Sequence, residues 1–304
     1  MNKGTGAHLR MAKAHGTGNS FLVYVDDEDE IDLAPEDVRR LCSPAFGIGA
    51  DGLMRAVRRE GRWFMDYRNA DGSLAEMCGN GIRVFVDHLR REGLFDGARI
   101  KVGTRGGVRQ VLVVPRAEGG VEYRVDMGAA RSTALEGIDV RIPGLGGAHR
   151  GIFIEMPNPH TVIAVESEEE LASLIFPTMD AERAPSALRP SLDPRPARGT
   201  NLEAVVDLGD DEDEGVISMR VLERGVGETL SCGTGCCAAA LATAIRRGPG
   251  APDSWRVRIP GGEVRVDIEG VLEFGEDGPR VTGAPVILTG PAERVGLVDW
   301  GKGA

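Results

Sequence analysis

An internal repeat constrains the fold of this chain more than any other feature of its sequence. Met77-Cys78-Gly79-Asn80-Gly81 has a counterpart 154 residues later in Ser231-Cys232-Gly233-Thr234-Gly235. Each Cys-Gly-x-Gly segment opens a stretch with the apolar spacing of a helix, and each stretch ends near a glycine, Gly93 or Gly248. A period of this length is too long for a solenoid, so it predicts two similar halves.

The segments on either side of each cysteine also match. Downstream, each predicted helix is followed by a strand, a turn at Gly106-Gly107 or Gly261-Gly262, and a second strand. Upstream, Asn69 and Glu223 each lie nine residues before their cysteine and follow a strand-like segment. The repeat therefore predicts an α+β protein with two pseudo-symmetric halves, each built from short strands and one principal buried helix.

Composition narrows the class of protein. Five cysteines in 304 residues form no disulfide framework, and a net charge of −11 argues against a nucleic-acid partner. The longest nearly apolar run, residues 236–245, is shorter than the roughly 20 residues that span a bilayer. Residues 1–20 lack the pattern of a secretory signal, so a cytoplasmic location without membrane association is expected.

Local composition predicts three further features. Two acidic runs, at 26–32 and 207–214, follow strand-like segments and are interpreted as solvated loops. The segment 35–42 has the pattern of a helix, and the five prolines within 177–198 predict a long loop.

The start of a helix gives a cysteine particular chemistry. The first turn has unpaired N–H groups and the positive end of the helix dipole, which lower the pKa of a thiol and bind anions such as a carboxylate. Glycines let the backbone approach a ligand closely. Cys78 and Cys232 are therefore predicted to place two reactive thiols and two anion-binding turns across one cleft.

Such a pair of thiols suits inversion at the α-carbon of an amino acid. A thiolate on one face removes the Cα proton, and a thiol on the opposite face delivers one. Negative charge that develops on the substrate carboxylate can be stabilised by helix N–H donors. Because the two thiols exchange roles in the reverse direction, similar surroundings for both are expected.

Other interpretations of the cysteines are weaker. Cys42, Cys236 and Cys237 are assigned to packing, as small buried hydrophobes. A zinc site built from Cys232, Cys236 and a histidine would lack the second pair of ligands of a strong zinc motif, and no Cys-x-x-Cys pair occurs. A non-catalytic thiol redox or metal-binding protein is the alternative from a different class.

The sequence predicts neither a cofactor nor a metal. The chain has four lysines, Lys3, Lys13, Lys101 and Lys302, and none lies in the repeat, so no Schiff-base lysine for pyridoxal phosphate is apparent. The glycine pattern at 47–52 precedes a strand-like segment instead of following one, which is unlike a dinucleotide-binding turn.

Several polar residues are candidates for substrate contacts. Asn19, Asn69, Asn158 and Asn201 stand in turn contexts and offer both donors and acceptors. Arg224 could hold a carboxylate and Glu223 an ammonium. By default, His15 and His160 would each be a core or capping histidine.

At these positions the chain resembles the diaminopimelate epimerase family, within the superfamily of proline racemases and phenazine-biosynthesis isomerases. The matching motifs, in the order that the family has them, are His15-Gly16-Thr17-Gly18-Asn19, Gly47-Ile48-Gly49-Ala50-Asp51-Gly52, Asn69-Ala70-Asp71-Gly72-Ser73, Met77-Cys78-Gly79-Asn80-Gly81-Ile82-Arg83, Asn158-Pro159-His160, Thr200-Asn201, Glu223-Arg224-Gly225-Val226-Gly227-Glu228-Thr229 and Ser231-Cys232-Gly233-Thr234-Gly235-Cys236. Asn80 together with Glu223-Arg224 is specific to this family, because proline racemases usually carry histidine at the position of Asn80.

The resemblance implies an isomerase that interconverts LL- and meso-2,6-diaminopimelate without a cofactor, in lysine and peptidoglycan precursor synthesis. It implies Cys78 and Cys232 as the acid/base pair, tuned by His160 and Glu223. The implied substrate contacts are Asn19, Asn69, Gly79, Asn80, Asn158, Asn201, Glu223, Arg224, Gly233 and Thr234. The expected partners are the small amino-acid substrate and, as one assembly state, a second copy of the chain.

The implied fold is two pseudo-symmetric halves, each a barrel-like mixed sheet wrapped around a central helix. The predicted halves are 1–122, to which the tail 283–304 returns, and 123–282, with the active site in the cleft between them. A proline racemase or 4-hydroxyproline epimerase is the alternative within the enzyme class. The distal ammonium and carboxylate of diaminopimelate would need the extra polar set Asn69, Asn158, Asn201 and Arg224, whereas proline has no such pair.

The chain departs from the family pattern at four positions. Ser20 replaces a usual aspartate, Pro157 a common glycine, and Cys236 a usual alanine. Gly52 stands where some members carry a glutamine that contacts substrate, so that contact is expected to be absent. None of the four alters the motif cysteines.

Overall fold

The computed structural model describes residues 8–116, 119–131, 137–276 and 278–301. Two of the four lysines, Lys3 and Lys302, lie outside these ranges. Residues 1–7 of the predicted first half and residues 302–304 of the predicted tail lie outside them as well. Within the described ranges the protein consists mostly of strands with few helices, so the predicted α+β class is confirmed.

The helices of the described residues are α1 (Pro35–Cys42), α2 (Gly79–Arg91), α3 (Glu168–Ser173) and α4 (Gly233–Arg247), with one 3-10 turn at Ser186–Leu188. The strands are β1 (His8–Gly16), β2 (Asn19–Val25), β3 (Gly52–Arg59), β4 (Arg62–Asn69), β5 (Arg99–Thr104), β6 (Gly107–Pro115), β7 (Val121–Ala129), β8 (Ile138–Arg141), β9 (His149–Met156), β10 (Asn158–Val165), β11 (Ser191–Asp193), β12 (Asn201–Asp211), β13 (Glu214–Glu223), β14 (Gly227–Thr229), β15 (Ser254–Ile259), β16 (Gly262–Asp267), β17 (Leu272–Gly275), β18 (Gly278–Val281), β19 (Pro285–Gly290) and β20 (Glu293–Gly301). No helix among the described residues has the length and apolar composition needed to cross a membrane.

The chain divides into two compact units, the first formed by Met1–Val125 with Pro291–Ala304 and the second by Asp126–Gly290. In the first unit, β1 and β2 form a hairpin, β2 pairs parallel to β3, and β3 and β4 form a second hairpin. The chain then crosses through α2 to β5, which pairs parallel to β4 and antiparallel to β6. Strands β1, β2, β3 and β20 all contact α2, whose residues from Gly79 to Leu89 are buried.

The second unit has the same order of pairings around α4. Strands β9 and β10 form a hairpin, β10 pairs parallel to β12, and β12 and β13 form a hairpin. After α4 the chain enters β15, which pairs parallel to β13 and antiparallel to β16. Most residues of α4 are apolar, and the helix is buried from Gly233 to Ala244 except at Thr234, because strands of this unit surround it.

The acidic runs are only partly the solvated loops that composition predicted. Asp26 is buried, and its carboxylate accepts a hydrogen bond of 2.8 Å from Nε of Arg55, which is itself buried. In the second run, β12 continues as far as Asp211, and Arg247 binds the carboxylates of Asp207 and Asp210. Arginines that lie far away in sequence therefore neutralise much of the local charge.

The proline-rich segment is also more regular than predicted. The 3-10 turn lies within it, and β11 pairs antiparallel to β8 over three residues, Ser191 to Asp193. A long-range strand partner, which composition does not reveal, accounts for the difference.

Candidate functional site

Cys78 is the N-cap residue of α2. Its backbone is extended, with φ −139° and ψ 124°, and its carbonyl accepts the first helical hydrogen bond from the N–H of Ile82 at 2.9 Å. The Gly81 N–H donates to Sγ at 3.4 Å, in the manner of a capping side chain. The sulfur therefore lies at the positive end of the helix dipole, as the sequence predicted.

Two asparagines predicted as site residues meet Cys78. The Cys78 thiol donates to Oδ1 of Asn19 at 3.6 Å, and Nδ2 of Asn80 lies 3.4 Å from the same oxygen. The other end of the Asn19 amide donates to the Asp51 carboxylate at 2.9 Å. Because a carboxylate only accepts, Asp51 determines which end of the Asn19 amide faces the cysteine.

Asp51 was not singled out as a site residue by the sequence, and neither was Arg83. The Arg83 guanidinium is fully buried and donates to the carbonyl of Gly79 at 3.1 Å and to Oγ1 of Thr17 at 3.3 Å. It thereby links the first turn of α2 to the turn between β1 and β2. A charged residue within the apolar stretch from Ile82 to Val86 is the signal that could have revealed it.

Asn69 lies at the end of β4, where its Nδ2 donates to Oγ of Ser73 at 3.0 Å. It pairs in register with Gly52, the residue that departs from the family pattern. A Cβ atom at Gly52 would lie 2.5 Å from Cε2 of Tyr67. The ring of Tyr67 thus occupies the space that a glutamine at position 52 would need.

Cys232 is the N-cap residue of α4 and is almost fully buried. Its carbonyl accepts from the N–H of Cys236 at 2.9 Å, and its Sγ lies 3.6 Å from Oγ1 of Thr234. Gly233 is the first residue of the helix and is buried as well. The unit thus places the second motif cysteine at a helix start, as predicted.

The predicted lowering of the thiol pKa is wrong for Cys232. Burial and the negative charges of Glu223 and Glu203 raise the pKa of Cys232 well above its ordinary value, and hydrogen bonds with Thr234 and Gly235 oppose this only weakly. A helix dipole acts as about half a charge, which two nearby carboxylates and removal from water outweigh. Cys232 therefore favours its thiol form in this structure.

Glu223 lies at the end of β13, half-buried, where Thr229 Oγ1 donates to its Oε1 at 2.6 Å. Burial raises the pKa of Glu223, and hydrogen bonds with Thr229 and Cys232 partly offset that effect. The carboxylate and the thiol are therefore electrostatically coupled.

This coupling predicts the reactivity of Cys232. In E223Q one negative charge beside the sulfur is lost, so the pKa of the thiol should fall and its thiolate should appear at lower pH. We expect the pH midpoint for alkylation of Cys232 by iodoacetamide, followed by peptide mapping, to move down by roughly one unit. E228Q, at a nearby carboxylate that Arg220 binds at 2.7 Å, is the matched control. A midpoint that stays in place or moves up in E223Q would contradict the coupling.

Both ring nitrogens of His160 have side-chain partners. Its Nδ1 lies 2.7 Å from Oε1 of Glu203 and its Nε2 lies 3.0 Å from Oδ1 of Asn158. The side chains of His160 and Glu203 are wholly buried. Sequence reasoning missed Glu203, although one acidic residue within the apolar run from Leu202 to Val206 was a visible signal.

Asn201 and Arg224 meet at the edge of the same unit. Asn201 opens β12, its Nδ2 donates to the carbonyl of Pro159 at 3.2 Å, and its Oδ1 accepts from the N–H of Arg224 at 2.9 Å. The exposed Arg224 guanidinium binds the carbonyl of Arg198. Asn201 thus joins the segment that carries Asn158 to the one that carries Arg224.

Metal-ligating side chains do not gather in the described part of the chain. Within the ranges given above, no group of three or more His, Cys, Asp or Glu residues is placed to hold a metal ion.

Comparison of the sequence with known proteins identifies close relatives. A family model described as diaminopimelate epimerase matches residues 11–133 and 152–277. The diaminopimelate epimerase of Corynebacterium glutamicum is 42% identical over 293 residues, covering 92% of this chain and 96% of that protein. The diaminopimelate epimerase of Thermobifida fusca is 40% identical over 304 residues, with the same coverage.

Solved structures share the fold at low sequence identity. A phenazine biosynthesis protein of the PhzF family from Bacillus anthracis superposes with a TM-score of 0.69 at 13% identity, covering 97% of this chain and 99% of that one. A hydroxyproline epimerase from Agrobacterium vitis, solved with bound trans-4-hydroxy-L-proline, gives 0.62 at 15% identity, covering 97% and 93%. At these identities the likeness concerns the fold alone.

Proposed function

The chain belongs to the diaminopimelate epimerase family, which makes it an isomerase, and we propose that it interconverts LL- and meso-2,6-diaminopimelate with Cys78 and Cys232 as the acid/base pair. The observation that carries the proposal is the equivalent position of the two thiols. Each is the N-cap residue of the buried helix that connects two parallel strands of its unit.

The reaction that we propose moves two protons and needs no cofactor. The thiolate of one cysteine removes the Cα proton, and the electron pair left behind delocalises into the substrate carboxylate. The thiol of the other cysteine then gives its proton to the opposite face of Cα. Stereochemistry is inverted, and the first cysteine leaves the step as a thiol and the second as a thiolate.

The raised pKa of Cys232 supports an assignment of the resting protonation states. We assign Cys232 as the thiol that donates first and Cys78 as the base, which must first lose the proton that it donates to Oδ1 of Asn19 in this structure. The diastereomer whose Cα hydrogen faces Cys78 is then the one that the enzyme in this protonation state turns over directly. His160 and Glu223 are proposed to tune the cysteines.

The substrate contacts are likewise a proposal. We assign the reacting carboxylate to the N–H groups at the two helix starts, from Gly79 and Asn80 and from Gly233 and Thr234, because helix N-termini bind anions. We assign the remaining charged groups of diaminopimelate to a polar set outside the helices. This set is Asn19, Asn69, Asn158, Asn201, Glu223 and Arg224.

The alternatives have less support. Relatives that are about 40% identical to this chain over most of its length carry the name diaminopimelate epimerase. The hydroxyproline epimerase is only 15% identical to this chain. A non-catalytic redox or metal-binding role does not account for two thiols at equivalent helix starts. The homodimer and the cytoplasmic location stay predictions.

The proposed function has a direct test. Purified protein, dialysed against a chelator, is incubated with LL-diaminopimelate in deuterium oxide. We expect conversion to the meso form with one deuterium at the inverted Cα, followed by mass spectrometry and chiral chromatography. Proline and trans-4-hydroxyproline serve as comparison substrates. Turnover of either instead of diaminopimelate, or activity that returns only with added metal or pyridoxal phosphate, would overturn the proposal.

A further inference from the structure

The strand registers of the two units make their positions comparable one by one. In the first unit β2 begins at Asn19, and Phe21 pairs with Gly52 of β3. In the second unit β10 begins at Asn158, and His160 pairs with Asn201 of β12. Counting along each strand, Phe21 corresponds to His160.

The same count makes Met54 of β3 the counterpart of Glu203 of β12. In both units the side chain at this position lies against the third residue after the motif cysteine. A Cβ atom built on Gly81 would lie 3.3 Å from Sδ of Met54 and 3.5 Å from Cζ of Phe21. A Cβ atom on Gly235 would lie 2.8 Å from Oε1 of Glu203.

The first helix start therefore contacts the apolar side chains of Phe21 and Met54, whereas the second contacts the ionisable side chain of Glu203. Phe21 and Met54 show that this place in the fold can be filled by apolar packing alone. Burying an acid there has a cost in desolvation, since Glu203 Oε2 has no hydrogen-bond partner within the described residues. Stability thus gives no reason for Glu203 to be present, which points to a role in function.

The chemistry of the pair identifies that role. An ionised carboxylate only accepts, so at 2.7 Å it holds a proton on Nδ1 of His160 and fixes the plane of the ring. The Nε2 atom is thereby directed to Asn158, a residue proposed to bind substrate. The ionisable groups facing the pair from adjacent elements are Glu223 on β13 and Cys232 at the start of α4.

We propose that Glu203 is a positioning residue of the epimerase, which acts through His160 by holding its Nδ1 proton and its orientation. This inference rests on the proposed function, in which His160 tunes the acid/base pair. The carboxylate itself touches neither substrate nor a reacting atom. Partners of this kind, one step removed from the reacting groups, typically change activity by about 10- to 100-fold when removed.

Two variants of Glu203 and one control test the proposal by the size of the loss in kcat. E203Q keeps an acceptor for the Nδ1 proton but loses the charge, so kcat should fall by about 10-fold. E203M copies the residue at the equivalent position of the first unit and removes the acceptor, so kcat should fall by about 100-fold. KM for diaminopimelate should stay within about three-fold in both, because Glu203 does not touch the substrate. E263Q, at an exposed carboxylate of β16, is the control for the Glu→Gln change.

A double-mutant cycle separates action through His160 from a general structural effect. H160F/E203M installs the Phe–Met pair that packs in the first unit, so it is expected to fold even where E203M alone does not. Its kcat should equal that of H160F within about two-fold, since Glu203 has nothing left to position. If E203M lowers kcat by the same factor in the H160F background as in the wild type, the proposal is wrong.

A spectroscopic measurement needs no activity. In protein with ¹⁵N-labelled histidine, the Nδ1–H signal of His160, assigned with H160F, should be present in the wild type and in E203Q and absent in E203M. A signal that persists in E203M, or kcat within two-fold of the wild type in that variant, would overturn the proposal. Failure of the wild type to epimerise diaminopimelate would defeat the proposed function instead. The signal would still decide whether Glu203 holds the proton on Nδ1 of His160.

Discussion

Replacing either Cys78 or Cys232 by alanine is expected to lower kcat for epimerisation by about 10²- to 10⁴-fold in both directions. Each inversion needs a base on one face of Cα and an acid on the other, so loss of either thiol removes one of the two proton transfers. Rates from LL- and from meso-diaminopimelate, followed by chiral chromatography, measure the effect. Either alanine variant retaining near-normal turnover would refute the two-base assignment.

Cysteines outside the helix starts provide matched controls. Cys42 is buried in α1 of the first unit, and Cys237 is buried in α4 of the second, next in sequence to Cys236. C42A and C237A should each leave kcat within a few-fold of the wild type, because both residues are assigned to packing. If a control variant lost most of its activity but kept its thermal stability, the catalytic role would have been assigned to the wrong sulfur.

Replacing Arg55 by methionine is expected to destabilise the first unit by about 3–5 kcal/mol. The guanidinium lies 2.7 Å from Asp26 and 3.6 Å from Asp66, and all three side chains are only 4% exposed. Without Arg55, the buried carboxylate of Asp26 loses the arginine that compensates its charge, whereas Asp66 keeps Arg59 and Arg105. Denaturant unfolding of R55M, with the midpoint followed by circular dichroism, measures the loss.

A surface arginine shows what an ion pair contributes when water remains around it. Arg195 binds Glu182, and the two side chains are 70% and 73% exposed. R195M should therefore change stability by less than about 1 kcal/mol. If R55M were as mild as R195M, the buried cluster would be held by its backbone hydrogen bonds and not by the arginine.

Patterns carried by neighbouring residues were sufficient to predict much of the local structure. The Gly106-Gly107 and Gly261-Gly262 pairs lie where β5 turns into β6 and β15 into β16, and Gly107 has a φ of +97°, which favours glycine. The segment 35–42 is α1, with proline in its first turn. These signals worked because turn formation and helix initiation depend on a few consecutive residues.

Sequence reasoning failed where charges from distant segments meet. The lowered pKa expected for Cys232 followed from its helix start, but Glu203 of β12 and Glu223 of β13 lie against it and reverse the direction. Asp26 was expected in a solvated loop, yet Arg55 of β3 draws it into the interior. Neither partner is close in sequence to the group that it affects.

Short motifs in a set order were enough to predict the α+β class, the two helix starts with their cysteines and the family to which the chain belongs. The protonation preference of Cys232, the partner of His160 and the neutralisation of Asp26 became visible in the folded protein alone. These depend on burial and on distances of a few ångströms between segments far apart in the chain. Electrostatic energies change steeply with both, and no local pattern of residues encodes them.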